Sequence, residues 1–293
     1  MSLFGPRRIG LALGSGGARG LAHIGVLKVL EAEGLRPDVI AGTSMGALVG
    51  AFYAAGIPVD EIERIAREFD VRTVTGVSEV ALAKGAVFSG AKVREFLRGY
   101  LPETFEELRM PFGCVATDIT QNRPVRFTSG DLVSAVRASV SVPLAFLPVR
   151  MDDSLLVDGY VCDPVPVNLA RHLGGQTVVA VDVSGAGTVG ALSPDGAVGS
   201  FKLRELRDGM RSGSLERGTT GLDVLSAVSE AFEGRLAQQA LRLADVVVSP
   251  DVSNLTGFDY AQTEYAIAQG ERAMAASVAR LRRKARRPVP RQA

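Results

Sequence analysis

Tryptophan is missing from the 293-residue chain, and histidine and cysteine occur only twice each. Two thiols, Cys114 and Cys162, cannot build a disulfide scaffold, and no CxxC pair or Cys/His cluster has the spacing of a metal site. No metal or other cofactor is therefore expected. Scarce thiols fit a reducing compartment. The N-terminal stretch offers only Ile9–Leu13 as an apolar run, short of the roughly 7–15 residues in the core of a signal peptide. The expectation is a cytoplasmic protein. An excess of one charge sign is also lacking, since 33 basic and 32 acidic residues leave a formal net charge of +1. With 46% apolar and 22% charged residues the chain is globular, which excludes wholesale disorder.

That near-neutral total is unevenly spread. Arg280, Arg282, Arg283, Lys284, Arg286, Arg287 and Arg291 fill the last residues without an acid among them, and the body is left acidic. Such a segment is either the solvated end of a helix, whose C-terminal dipole favours cations, or a peripheral contact for an anionic membrane surface. No aromatic residue interleaves these arginines, so specific nucleic-acid binding is not expected. Residues Val39–Val59 carry no charge and approach the roughly 20 residues of a membrane span. Gly42, Gly46, Gly50, Gly56 and Pro58 interrupt that run, which reads instead as a buried strand, a tight turn and a buried helix.

Apolar runs predict strands at Ile9–Leu13, Val39–Ala41, Gly113–Thr117, Val125–Thr128, Leu155–Val157, Val178–Val183 and Asp245–Ser249. Several are apolar throughout, as a strand covered on both faces requires. Helical spacing predicts helices near Leu21–Gly34, after Ser44, over Asp60–Phe69, from an N-cap at Ser89 to Leu101, and over Leu132–Val140. Asp259 and Gln262, at capping-box spacing, predict a last helix running toward Arg280. The alternation implies an α/β fold with a mainly parallel sheet sandwiched by helices. One domain is expected over residues 1–279, followed by the basic tail at 280–293. Gly185–Gly221, rich in glycine, serine and charge, is expected to be a long loop within the domain, either a mobile lid or a simple insertion.

Gly42-Thr43-Ser44-Met45-Gly46 matches GxSxG, the nucleophile-elbow pattern. A strand before it and a helix after it supply the context in which a serine hydroxyl projects beyond a sheet. Gly14-Ser15-Gly16-Gly17-Ala18-Arg19-Gly20 also follows a strand and opens a helix, so its amides can face an anion. The dinucleotide fingerprint would need glycine at Arg19, and a P-loop would need GK[ST]. What remains is an oxyanion hole, with Gly16 and Gly17 as its donors. Arg19 either steadies the loop, through a salt bridge for instance, or meets an anionic head group. The base is left open by the residues alone. His23 reads as a structural histidine on a buried helix and His172 as a surface helix residue, although Ser44–Asp158–His172 is formally a triad in hydrolase order. Asp158-Gly159 follows an apolar strand, and a partly desolvated Asp158 there would accept a proton well. Asp-Gly is also an ordinary turn pair.

GSGGARGLAHIGVL, GTSMGAL, ASVSVPLAFLPV and VDGYVCDPVPV occur in that order between Ile9 and about Ala276. In this set and order the chain resembles the bacterial patatin-like phospholipase family. The resemblance implies a three-layer α/β/α fold and a Ser–Asp dyad, with Ser44 as nucleophile, Asp158 as base and His23 outside the dyad. It further implies a phospholipid or other lipid acyl ester as substrate. Tyr160, where the family usually has glycine or alanine, and Cys162-Asp163 depart from its pattern. The rival expectations are a thioesterase or small-ester esterase, and a non-catalytic lipid- or nucleotide-binding module that kept the glycine-rich loop.

Overall fold

The computed structural model describes residues 7–68, 88–184, 221–257 and 259–286. Its strands are β1 (Ile9–Leu13), β2 (Val39–Thr43), β3 (Phe112–Asp118), β4 (Arg123–Phe127), β5 (Val149–Met151), β6 (Ser154–Asp158), β7 (Thr177–Val181) and β8 (Val246–Val248). The α-helices among the described residues are α1 (Ala22–Ala32), α2 (Met45–Ala54), α3 (Val59–Glu68), α4 (Ala91–Arg98), α5 (Leu132–Ser139), α6 (Val167–His172), α7 (Gly221–Leu241) and α8 (Thr263–Ala285). All eight strands join one sheet, in the order β5-β6-β3-β2-β1-β7-β8, with β4 also paired to β3. The pairings among β3, β2, β1, β7 and β8 are parallel, and those of β4, β5 and β6 are antiparallel.

The two-residue period of a strand explains the layers. Leu11 and Leu13 of β1 and Val179 and Val181 of β7 share one core with α1, α2, α3 and α8. The intervening Ala12, Val178 and Ala180 pack in a second core with Val167 and Leu169 of α6 and Ala237 of α7. Helices thus cover both faces, and β1, β2, β3 and β7 are buried at every position. On the first face α1 and α8 approach until backbones touch. A Cβ on Gly25 would overlap the Ile267 carbonyl, and one on Gly270 would overlap that of Ala22.

Several elements differ from expectation. The short β5 was not anticipated, nor was α7, whose apolar residues form no dominant stripe. Asp259 forms no capping box, because its carboxylate accepts from Thr256 N at 2.6 Å and a 3-10 turn over Tyr260–Gln262 precedes α8. Gly90, not Ser89, is the N-cap of α4, while Ser89 Oγ accepts from Ala91 N at 3.3 Å. The basic stretch begins inside α8, where Arg282 bonds the Glu33 carboxylate at 2.7 Å. The expected loop at 185–221 lies outside the described residues except for Gly221, and so does the end of the tail at 287–293. Among the described residues no helix is long and apolar enough to cross a membrane.

Candidate active site

Chain order diverges between β1 and β7, which are neighbours in the sheet although β2 and β3 lie to one side and β8 to the other. In open α/β sheets the space beyond the strand ends at such a point is where ligands collect. The antiparallel edge adds something particular. β4 pairs with Cys114–Asp118 of β3, so β2, which pairs up to Val115, and β6, which pairs from Ala116, must share the opposite edge of β3. β2 runs parallel to β3 and β6 antiparallel, so their C-terminal ends point at each other. Thr43 stands opposite Val115 and Asp158 opposite Ala116. The residue after β2 is Ser44.

Ser44 takes φ 55° and ψ −121°, a backbone state that costs a non-glycine residue on the order of 1–3 kcal/mol. Its neighbours hold it there. A Cβ on Gly42 would overlap the Gly46 carbonyl, and one on Gly46 would overlap that of Leu13, so the GxSxG glycines permit the turn to close against β1. Ser44 N donates to Ser139 Oγ at 3.0 Å. The Ser44 hydroxyl donates to Asp158 Oδ2 at 2.6 Å. Both residues are buried, Ser44 with 6% and Asp158 with 0% exposure.

Asp158 is held from three directions. Its Oδ1 accepts from Tyr160 N at 3.0 Å, its own N donates to Ser141 O at 2.9 Å, and Oδ2 faces Ser44. Burial pushes its pKa up to about 7, opposed by the bonds from Ser44 and Tyr160 and reinforced by the negative charge of Glu233. A carboxyl group that exchanges a proton near neutrality is suited to general-base work.

The glycine-rich loop spends most of its amides internally. Gly14 N donates to Val181 O at 3.0 Å, Ser15 N to Pro164 O at 2.9 Å, Ala18 N to Gly257 O at 2.8 Å and Arg19 N to Gly16 O at 3.2 Å. Among the described residues, the N–H groups of Gly16 and Gly17 have no protein acceptor. His23 is fully buried, and its Nε2 lies 2.8 Å from Gly14 O. Only the tautomer protonated at Nε2 can make that bond. Burial lowers the His23 pKa to about 4, so the ring stays neutral. Arg19, also buried, donates to Gly16 O at 3.4 Å and Ser184 O at 3.2 Å, so it meets carbonyl oxygens of the loop and its surroundings. Gly159, after Asp158, sits where a Cβ would overlap the Val115 carbonyl.

The remaining sequence candidate stands apart: His172 is exposed at the end of α6. Other contacts were not foreseen. Ser139 and Ser141 belong to a motif quoted for the family, but their partners, Ser44 N and Asp158 N, emerge only in three dimensions. From α7, Glu233 accepts from Ser15 Oγ at 2.5 Å, and Ser229 shares a 2.8 Å hydrogen bond with the Tyr160 hydroxyl. That helix therefore touches both the glycine-rich loop and the turn after Asp158. Its signal in the sequence is only a proline-free stretch of helix-forming residues.

A profile of the patatin-like phospholipase family matches residues 11–171. An uncharacterized NTE family protein of Mycobacterium tuberculosis is 37% identical over 180 residues, covering 61% of this chain and 50% of that protein. Patatin-like phospholipase domain-containing protein 6 of Homo sapiens is 37% identical over 183 residues, which are 60% of this chain and 13% of that protein. Lysophospholipase nte1 of Aspergillus fumigatus is 36% identical over 182 residues, or 60% and 12%. The chain thus spans half or less of the length of these relatives. The crystal structure of VipD from Legionella pneumophila shares the fold at 15% identity and a TM-score of 0.50, over 95% of this chain and 67% of that one. The matched segment covers more than half of the chain and takes in the glycine-rich loop, Ser44 and Asp158, and on that ground the chain belongs to the patatin-like phospholipase family.

Proposed function

We propose that the protein is a serine acyl-ester hydrolase of the phospholipase A or lysophospholipase type, working through a Ser44–Asp158 dyad. The observation that carries this reading is the 2.6 Å hydrogen bond from Ser44 Oγ to Asp158 Oδ2 at the facing ends of β2 and β6. Asp158 takes the hydroxyl proton as Ser44 Oγ attacks the ester carbonyl carbon. The carbonyl oxygen becomes an oxyanion and accepts from the Gly16 and Gly17 amides, each good donor contributing about 3–4 kcal/mol at the transition state. Collapse breaks the ester C–O bond, and the alcohol leaves with the proton from Asp158. Water then attacks the acyl-Ser44, giving one proton to Asp158, and the acid departs as Ser44 recovers its proton.

Ser44 N is engaged by Ser139, so it does not serve as an oxyanion donor in this arrangement. His172 has no part in it. Beside the elbow, Leu21, Ile24, Met45, Phe52, Phe96 and Tyr260 line a small apolar cavity, and this apolar lining is in keeping with a lipid acyl chain as the group bound there.

The test is labelling with a lipid-like fluorophosphonate, with the adduct located by peptide mass spectrometry. The expected result is an adduct on Ser44 that disappears in folded Asp158→Asn. Phospholipid hydrolysis that persists in folded Ser44→Ala would overturn the dyad. Comparing oxygen esters with thioesters of one acyl chain separates this activity from that of a thioesterase.

A further inference from the structure

A second concavity lies between α4, Arg137 of α5 and the start of β5. It encloses about 540 Å³ and is lined by four arginines, Arg94, Arg98, Arg137 and Arg150, with Glu95 as the acid in its lining. Cavities of this volume hold small molecules.

Arg137 is the central observation. It is only 2% exposed, yet each of its polar partners is neutral. Its guanidinium donates to Gly90 O at 3.2 Å, Ser89 O at 3.3 Å, Leu147 O at 3.2 Å and Ser141 Oγ, and it sits 5.1 Å from the centre of the Phe146 ring. Among the described residues no carboxylate lies within ion-pair distance of Arg94, Arg137 or Arg150. The acid nearest Arg98 is Glu103, at 4.0 Å and largely exposed. Burial and the like charge of Arg94 together lower the Arg137 pKa to about 10. A buried cation without a counter-ion is costly, and an anion in the cleft would remove that cost. The start of α4 at Gly90 and Ala91 lines the same space and brings the positive end of its dipole.

The geometry points to a phosphate-binding cleft, in which Arg94 and Arg150 hold a phosphate group carried by a lipid headgroup or by a small soluble molecule, with the buried charge of Arg137 behind them. One planar arginine fork satisfies a carboxylate, whereas phosphate oxygens accept from several forks arriving from different directions. The cleft is connected to the dyad through Ser141, whose hydroxyl bonds Arg137 and whose carbonyl accepts from Asp158 N. The binding itself does not depend on the chemistry proposed for Ser44.

The experiment uses the full chain and two probes. One is inorganic pyrophosphate, followed by titration calorimetry. The other is flotation with vesicles of ether-linked phosphatidylcholine, with and without ether-linked phosphatidic acid, which an ester hydrolase cannot consume. Arg94→Gln/Arg150→Gln removes two cleft cations and leaves Arg137 in place. Arg272→Gln/Arg280→Gln removes equal charge from exposed positions on α8. The cleft pair should weaken binding of a probe by about tenfold or more, and the α8 pair by less than about twofold. Loss confined to pyrophosphate identifies a soluble phosphate, and loss on phosphatidic acid vesicles identifies a headgroup. Should the double variant not fold, Arg150→Gln alone, exposed on β5, gives the same reading. Wild-type protein that binds neither probe, or equal effects of the two pairs, would overturn the proposal.

Discussion

Replacing Asp158 by asparagine should move stability and activity in opposite directions, and the first of these effects should depend on pH. Burial raises the Asp158 pKa from 3.8 to about 7, so the folded chain binds this proton more tightly than the unfolded chain. The stability it contributes is complete below about pH 4 and is lost as pH rises through about 7. At 1.36 kcal/mol per pKa unit, the stability lost relative to low pH is about 2 kcal/mol at pH 5, where the unfolded chain has released a proton that the folded chain keeps, and about 4 kcal/mol above pH 8. Asparagine has nothing to ionise, so the stability of Asp158→Asn relative to wild type should increase by about 2–3 kcal/mol between pH 5 and pH 9. For a chain of this size that is roughly 5–10 °C in the difference between melting temperatures. Titrating groups shared by both proteins cancel in that difference. Activity should fall roughly 10²–10⁴-fold, because the asparagine oxygen is needed by Tyr160 N and its NH₂ then faces Ser44 as a donor. Calorimetric melts of both proteins at the two pH values, beside an ester hydrolysis assay, decide the matter. A melting difference that does not change with pH would show that Asp158 ionises in the ordinary range, and the argument from burial would fail.

The same pKa predicts that wild-type kcat/KM rises about tenfold per pH unit below pH 7 and levels above it, and a profile flat from pH 5 to 8 would contradict Asp158 as the base. His23→Leu removes the donor to Gly14 O and should lower kcat about tenfold or more with little change in KM, while His23→Gln keeps an amide donor and recovers much of the loss. Steady-state kinetics on a soluble ester would show it, and equal kcat in the leucine and glutamine variants would sink the positioning role. Ser44→Ala and Ser44→Gly should both be inactive. The glycine variant should be the more stable by about 1 kcal/mol in denaturant titration, because φ 55° strains alanine and suits glycine.

What was legible in the sequence was local. Ile9–Leu13 and Val178–Val183 read as buried strands because residues facing either helical layer must be apolar, and GxSxG between strand and helix marks a turn that small residues permit. The Gly16–Gly17 pair was proposed by elimination of nucleotide motifs, and among the described residues its amides have no protein acceptor. Contacts between distant segments were not legible. Nothing within the run of α7 says that Glu233 meets Ser15, 218 positions away, since a single buried carboxylate leaves the composition of a helix unchanged. Asp259 failed as a cap because Thr256 N competes for the same oxygen at 2.6 Å, and capping spacing does not record that competitor. Nothing in the sequence singles out Arg137, whose burial depends on the start of α4 and on Phe146 closing over it.

The proposed dyad also gives a reason for the fold to combine both kinds of strand. A parallel sheet alone would align the ends of β2 and its neighbours side by side, with a serine on one strand end and no carboxylate approaching it from ahead. The antiparallel β6 enters the same edge of β3 from the opposite direction, so its last residue arrives where β2 stops. Asp158 is fully buried at that meeting point, and burial is what raises its pKa. Strain at Ser44 and desolvation at Asp158 are both unfavourable to folding. They persist because the close backbone contacts at Gly42, Gly46 and Gly159, together with Ser139 and Ser141, leave neither residue an alternative position. The hydrogen bond from Ser44 to Asp158, on which the proposed proton transfer rests, is therefore built into the fold before any substrate arrives.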